Sequence, residues 1–160
     1  MREIPYNHEK GAIPPSLRKI DFLSNIDDSA LDEILNHSSI LECSAGETIF
    51  HEGDTSKEFY ILLKGSAQIT KSGKHVAAVE ASGELLGELS SLLQQERSAT
   101  VTAAGHAFLL KVNPSFLYDL SDTQRTAYYA VLYRFLAKVL AERLAETSAR
   151  VAELEKELYR

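Results

Sequence analysis

Apolar and polar residues alternate in short runs through the middle of the chain, from Ile40 to Val112, and glycines separate the runs. Alternation with a period of two is typical of β-strands that bury one face. The predicted strands cover residues 48–50, 59–63, 67–70, 76–79, 97–103 and 107–112. Short strands at such regular spacing predict an antiparallel β-roll or jelly roll.

The residues before these strands show no strand pattern. Residues 1–15 contain three of the four prolines and no apolar periodicity, which predicts an irregular N-terminal arm. Asp27 is a suitable N-cap for a helix over residues 28–36, since apolar residues recur there at helical spacing. We therefore predict an arm over 1–15, followed by one domain over 16–160 that begins with short helices.

Helix signals return after the last strand. Asn113 and Pro114 are a typical N-cap and first helical residue, and they predict a short helix over 115–120. Ser121 and Gln124 have the spacing of a capping box, which predicts a last helix from residue 122 to about 160. At 1.5 Å per residue this helix is roughly 50 Å long or more. The predicted fold class is mainly β, with flanking helices and a long C-terminal helix.

The second half of the long helix carries a stripe whose members lie alternately four and three positions apart. They are Leu140, Leu144, Thr147, Val151, Leu154 and Leu158. This spacing is that of a coiled-coil seam, so the helix is expected to form a homodimer. Thr147 is the polar member of the stripe, and a hydrogen bond to its own helix backbone is one explanation for it.

Composition excludes several classes of protein. Hydrophobic residues make up 44% of the 160 residues, so a folded core is expected. The net charge of −6 argues against a general nucleic-acid-binding surface. One cysteine, Cys43, cannot form an intramolecular disulfide and suits a reducing cytoplasm. No apolar run has the length of a signal peptide core or a membrane span, so a soluble cytoplasmic protein is predicted.

One segment has the residue types of an anion site. Gly83 and Gly87 permit a tight turn, and a short helix can begin at Glu88 with its first N–H groups unpaired. Such a helix start favours an anion. Arg97 follows at the start of a predicted strand, and a guanidinium can bind a phosphate through two parallel hydrogen bonds.

The run Gly87-Glu88-Leu89-Ser90, followed by Arg97-Ser98-Ala99-Thr100, resembles the phosphate-binding cassette of the cyclic nucleotide-binding domain family. The resemblance covers about residues 20–155. It implies a non-enzymatic sensor that binds cAMP or cGMP as a ligand and needs no other cofactor. The implied ligand-binding residues are Leu86, Gly87, Glu88, Leu89, Ser90, Arg97, Ser98, Thr147 and Ser148.

The resemblance also implies a role for each part of the site. Arg97 and the backbone of the Leu89–Ser90 turn would bind the cyclic phosphate, and Ser98 would donate a hydrogen bond to the phosphate or the base. Glu88 would accept a hydrogen bond from the ribose 2′-hydroxyl. Leu86 would contribute an apolar wall. In the bacterial catabolite activator branch, a threonine-serine pair contacts adenine from both subunits. Thr147 and Ser148 match this pair, with Arg143 nearby, and therefore favour cAMP over cGMP.

Three other interpretations compete with a stand-alone bacterial sensor. Metal-dependent cupins share a similar roll, but the five histidines are scattered through the chain without a His-x-His pair. A transcription regulator of the catabolite activator type would carry a helix-turn-helix after the long helix, and this chain ends at Arg160 without one. The chain could then be the sensor fragment of such a regulator. A dimerisation module with an empty pocket is the third alternative, and the sequence predicts no downstream protein partner.

Overall fold

Two antiparallel sheets form the body of the computed structural model, which describes all 160 residues. The first sheet has the strand order β1-β2-β9-β4-β7, and the second has the order β3-β8-β5-β6. The strands are β1 (Arg2–Pro5), β2 (Ser38–Cys43), β3 (Thr48–Phe50), β4 (Phe59–Lys64), β5 (Ala67–Lys71), β6 (Lys74–Val79), β7 (Leu85–Leu86), β8 (Thr100–Ala103) and β9 (Ala107–Val112). The predicted β-roll with flanking helices is confirmed.

Strand β4, in the interior of the first sheet, is buried on both of its faces. Along β4, Tyr60 and Leu62 point into the roll, where they meet Leu109 of β9 and residues of the second sheet. Phe59 and Ile61 point to the opposite face, where the helices cover them. Because successive side chains of a strand alternate between faces, a strand buried on both faces is apolar throughout.

The N-terminal arm differs from the sequence-based expectation of an irregular segment. Residues 2–5 form β1, which pairs with β2 so that Ile4 lies opposite Ile40. Pro5 is tolerated because it ends a strand at the edge of the sheet. Beyond β1, the His8 ring is buried and its Nε2 atom lies 2.6 Å from Oδ1 of Asp32. The arm is thus attached at two places, which the local sequence pattern did not reveal.

The helices follow the predicted caps closely. They are α1 (Pro15–Arg18), α2 (Asp21–Ser24), α3 (Asp28–Asn36), α4 (Glu88–Leu93) and α5 (Asp122–Leu158), with a 3-10 helix at Pro114–Asp119 before α5. The Asp27 side chain accepts a hydrogen bond from the Ala30 N–H at the start of α3. Ser121 and Gln124 form the predicted capping box of α5. The short helix expected over 115–120 is the 3-10 helix.

The long helix α5 is anchored only over its first half. Tyr128, Leu132 and Leu136 lie one turn apart and are buried against the helical face of the first sheet. The Tyr128 ring packs edge-on against Phe22 and Phe116, at centroid distances of 6.1 and 5.1 Å. Nearly every residue beyond Lys138 is exposed, including all six members of the predicted seam. No helix is both long enough and apolar enough to span a membrane.

Candidate ligand-binding site

A cavity of about 610 Å³ lies between the second sheet, the segment from β7 to α4, and the middle of α5. The sheet contributes Ile69, Lys71 and Val101 to its wall. The opposite wall consists of one face of α5, with the residues Val139, Glu142, Arg143, Glu146 and Thr147. The residues from Glu84 to Ser90 line it continuously.

Gly87 forms the turn that connects β7 to α4. Its φ of 77° lies in the left-handed region, where glycine pays no steric penalty. As the N-cap residue without a side chain, it leaves the first N–H groups of α4 without a side-chain cap. A Cβ at this position would overlap Nη1 of Arg97 and approach Cε1 of Phe50 to 3.3 Å. Both the turn and the packing therefore require glycine here.

Arg97 lies outside the strand in which the sequence pattern had placed it. β8 begins at Thr100, whereas the Arg97 backbone pairs with the loop before β4: its N–H donates to the Asp54 carbonyl and its carbonyl accepts from the Gly53 N–H, both at 2.8 Å. This pairing turns the Arg97 side chain inwards. The side chain is 2% exposed, so the arginine is a core residue.

The Arg97 guanidinium is held by main-chain carbonyls. Nη1 donates to the Gly87 carbonyl at 2.8 Å and to Oγ of Ser90 at 3.1 Å, while Nη2 donates to the Glu58 carbonyl. Its Cζ atom lies 4.3 Å from the centroid of the Phe50 ring, a cation–π geometry. Nε is buried without a hydrogen-bond partner. The guanidinium thus sits directly behind the Gly87 turn and does not itself line the cavity.

Arg97 is a buried cation without a carboxylate partner. Burial lowers the pKa of its guanidinium, and Glu58, Asp54 and Glu88 oppose this shift only at longer range. An arginine remains charged even so. A buried charge is expensive unless an opposite charge pairs with it. The positive end of the cassette therefore favours a compact anion at the Gly87 turn.

Glu88 is the first residue of α4 and is half-buried beside the cavity. Burial raises the pKa of its carboxyl group, while a hydrogen bond from its own backbone N–H and the charges of Arg143 and Arg97 act in the opposite direction. No side chain donates a hydrogen bond to this carboxyl group. The carboxylate is available to accept a hydrogen bond from a hydroxyl group in the cavity.

The structure brings together seven of the nine residues predicted for the site. Leu86, Gly87, Glu88, Leu89, Ser90, Ser98 and Thr147 line the cavity. Arg97 lies behind it. Ser148 is exposed and is not among the residues that line the cavity.

Several lining residues have no local signal in the sequence. Lys71 comes from the end of β5, and Glu142 and Glu146 lie one turn apart on α5. Only the tertiary fold brings them to one cavity. Six charged residues line the cavity, four of them acidic and two basic: Glu84, Glu88, Glu142, Glu146, Lys71 and Arg143. This excess of acidic groups disfavours a ligand with many negative charges, and the Gly87 turn is the part of the wall that lies against the buried Arg97 cation.

The fold and the cassette define a class of protein. The structure is an antiparallel roll with a glycine turn, a short helix and a buried arginine. The sequence matches the model of the family described as "Cyclic nucleotide-binding domain" over residues 40–124. The chain belongs to the cyclic nucleotide-binding domain family. It is a regulatory module related to the regulatory subunits of cAMP-dependent protein kinase.

Three relatives illustrate this membership. The cAMP-dependent protein kinase regulatory subunit of Schizosaccharomyces pombe is 30% identical over 87 residues, which is 54% of this chain and 21% of that protein. A structure of a putative cyclic nucleotide-binding protein from Geobacter metallireducens is 25% identical, with a TM-score of 0.70 over 82% of this chain and 97% of that one. The regulatory subunit of a cAMP-independent protein kinase A from Trypanosoma brucei is 27% identical, with a TM-score of 0.64 over 76% of this chain and 43% of that one.

The matched segment spans 6% to 21% of the length of the first three curated relatives. Because one of the similar structures belongs to a kinase described as cAMP-independent, family membership alone does not establish the ligand. The ligand must be argued from the site itself.

The Gly87 turn can be tested against a matched glycine. Gly87 and Gly73 have nearly the same φ, 77° and 76°, but a Cβ on Gly73 meets no atom within 4 Å. We expect Gly73→Ala to destabilise the protein by about 1–2 kcal/mol through backbone strain. Gly87→Ala should lose about 1–3 kcal/mol more, because the new methyl group displaces the buried Arg97 guanidinium. Urea unfolding of both variants measures the difference, and equal losses would contradict the packing argument.

The raised pKa of Glu88 predicts a pH dependence. The folded protein retains this proton to a higher pH than the unfolded chain, so the free energy of unfolding falls as the pH rises from the ordinary value of 4.5 through the raised one. At neutral pH the buried carboxylate opposes folding. We expect Glu88→Gln to be more stable than the wild type at pH 7 and equally stable below pH 4.5.

Denaturant unfolding at both pH values measures this difference, with Glu84→Gln on the same cavity wall as the control. A stabilisation by Glu88→Gln that is larger at the acidic pH than at pH 7 would contradict the assignment.

Proposed function

We propose that this domain binds a cyclic nucleoside monophosphate in the cavity and acts as a non-enzymatic sensor. The observation that carries the proposal is the buried Arg97 guanidinium, which has no carboxylate partner and lies against the Gly87 turn. A cyclic phosphate is compact and carries one negative charge. It therefore suits a single buried cation better than the terminal phosphates of a nucleoside di- or triphosphate would.

The phosphate would enter at the turn between Gly87 and Ser90. There the open N–H groups at the start of α4 and the Ser98 hydroxyl are donors on the cavity side. Arg97 would reach the phosphate by exchanging part of its contact with the Gly87 carbonyl or with Ser90 Oγ for phosphate oxygens. Binding is thereby coupled to the conformation of the turn.

The ribose and base would occupy the rest of the cavity. Glu88 would accept a hydrogen bond from the ribose 2′-hydroxyl, which selects a ribonucleotide over a deoxyribonucleotide. Leu86 and Leu89 would give apolar contacts, and Thr147 on α5 would contact the base. The preference for cAMP over cGMP depends on Thr147 and on Ser148 of the partner subunit.

The partner subunit would be a second copy of this chain. The seam residues of α5 are between 47% and 77% exposed at Leu140, Leu144, Val151, Leu154 and Leu158. An apolar stripe of this length on a surface is typical of an interface. A parallel coiled coil would bury it and would bring Ser148, which does not line its own cavity, towards the cavity of the other subunit.

The nucleotide signal would pass through α5. Its residues Val139 to Thr147 form one wall of the cavity, yet this part of the helix has no buried core contacts of its own. A ligand that contacts both the cassette and Thr147 would favour one helix position over another. The domain would thus be a cytoplasmic regulatory module, and it would make no contact with DNA or membrane in this role.

Calorimetric titration with cAMP, cGMP and AMP tests the site. We expect cAMP to bind more tightly than cGMP and AMP to bind weakest, because AMP carries a second negative charge into an acidic cavity. Arg97→Ala should weaken cAMP binding by about 10- to 150-fold, since a charge-assisted hydrogen bond contributes about 1.5–3 kcal/mol.

Lys71→Ala removes a cation that also lines the cavity and is the control for general charge loss. If Arg97→Ala does not fold, Arg97→Lys is the second variant, because it keeps a positive charge in the core. We expect Arg97→Lys to fold but to bind cAMP more weakly than the wild type does. Undiminished cAMP affinity in folded Arg97 variants would refute the phosphate assignment.

Light scattering tests the seam. Leu144→Asp places a charge at an a position of the proposed coiled coil and should convert a dimer into a monomer. Tyr118→Asp is the matched control, because Tyr118 is 86% exposed on the 3-10 helix and lies outside the seam. If the Leu144→Asp variant remained a dimer, the interface would have to lie outside the seam.

A further inference from the structure

A histidine and two carboxylates converge at the end of α3, away from the nucleotide cavity. Glu33 and His37 are four residues apart, and Asp119 is the last residue of the 3-10 helix. Their ligand atoms all lie within 4.8 Å of one another. This cluster is part of neither the cassette nor the seam.

The His37 ring is oriented by the helix end that it caps. Its Nδ1 atom lies 2.9 Å from the Glu33 backbone carbonyl and can only donate there. Nε2 lies 3.1 Å from Oδ2 of Asp119, and a carboxylate oxygen of Glu33 belongs to the same cluster. With Nδ1 donating, Nε2 can offer a lone pair, so one imidazole nitrogen and two carboxylates lie close together. A metal ion bound among them would relieve the repulsion between these electron-pair donors.

We propose that Glu33, His37 and Asp119 form a Zn²⁺-binding site. A tetrahedral zinc ion with bonds of about 2.0–2.1 Å holds neighbouring ligand atoms about 3.3 Å apart. The Nε2–Oδ2 distance of 3.1 Å is close to this value, and the ligand atoms of all three residues lie within 4.8 Å of one another. The bond from Nδ1–H to a backbone carbonyl is the contact that typically orients a zinc-binding histidine.

Access and ligand number suit a bound ion with one water ligand. The side chains of His37 and Asp119 are 26% and 54% exposed, so an ion can enter from solvent. With three protein ligands, a water molecule would complete the tetrahedron. Mixed nitrogen and oxygen ligands of this kind favour Zn²⁺ over Mg²⁺ or Ca²⁺, which prefer oxygen ligands alone.

A zinc ion here would connect two segments that support α5. The 3-10 helix leads directly into the Ser121 cap of α5, and α3 already touches the start of α5 through a hydrogen bond of 3.1 Å from Gln124 to Ser29. Zinc would join the end of α3 to Asp119 and stabilise the base of the long helix. This site and its test are independent of nucleotide binding.

Other histidines of the chain provide the control. His106 lies 2.9 Å from Glu42, a distance close to that of the His37–Asp119 pair, but no second carboxylate joins it in a cluster. His8 and Cys43 are buried and closed to an ion from solvent. A zinc titration therefore distinguishes the three-ligand cluster from a single histidine–carboxylate pair.

The experiment uses untagged protein that has been freed of metal with a chelator. Calorimetric titration with ZnCl₂ should show one site with a dissociation constant of about 10 μM or lower, and 100 μM ZnCl₂ should raise the melting temperature by about 3–5 °C. His37→Gln and Asp119→Asn should each weaken binding by at least about 10-fold. His106→Gln should bind zinc as the wild type does. Asp119 is exposed, so its variant should fold normally even if His37→Gln does not.

Binding weaker than about 1 mM would overturn the proposal. Undiminished binding in folded Asp119→Asn would do the same. A loss of binding in His106→Gln as large as that in His37→Gln would assign the zinc to surface histidines in general, which also overturns it.

Discussion

The buried guanidinium of Arg97 is the interaction on which the architecture of the cassette depends. Its hydrogen bonds join the Gly87 turn before α4 to the residue before β4, and the Arg97 backbone pairs with the Gly53–Asp54 loop. Carbonyl oxygens and the face of Phe50 stabilise the cation without neutralising it. A carboxylate partner would stabilise the folded protein more, but it would also compete with an anionic ligand. The arrangement therefore stabilises the folded core without neutralising the buried cation.

The long helix has two mechanically different halves because its packing changes near Lys138. Tyr128, Leu132 and Leu136 are buried in the core, so the first half is as stable as the core itself. The second half contributes residues Val139 to Thr147 to the cavity wall, and nearly all of its side chains are exposed. The cavity consequently has one rigid wall, built from paired strands, and one wall that can shift without breaking core contacts. A sensor requires such an asymmetry, since a ligand must contact something that can move.

Much of the fold was predictable because it depends on local signals. Asp27 and Ser121 cap their helices as their positions indicate, and the strands 48–50 and 107–112 have the predicted bounds. The wrong predictions concern segments whose backbone hydrogen-bond partners are distant in the sequence. Arg97 continues an alternating run but is taken out of the strand by the Gly53–Asp54 loop, and β1 exists only because β2 offers it an edge. The i, i+4 spacing of Glu33 and His37 is visible in the sequence, but the third member, Asp119, is supplied by the tertiary fold.

The choice of base depends on how the polar groups of the cavity match the edge of a purine. Adenine presents an amino donor at its sixth position, where guanine presents a carbonyl acceptor. Thr147 can donate or accept and therefore discriminates weakly by itself. Glu142 and Glu146 on the same face of α5 only accept hydrogen bonds, whereas Lys71 on the sheet wall only donates them. Guanine, however, also carries an N1–H and an N2 amino group, and a carboxylate can accept hydrogen bonds from both, so the glutamates on α5 do not by themselves select adenine. The proposed preference for cAMP therefore depends on the hydroxyl groups of Thr147 and of Ser148 of the partner subunit acting together, and not on the carboxylates of the cavity wall.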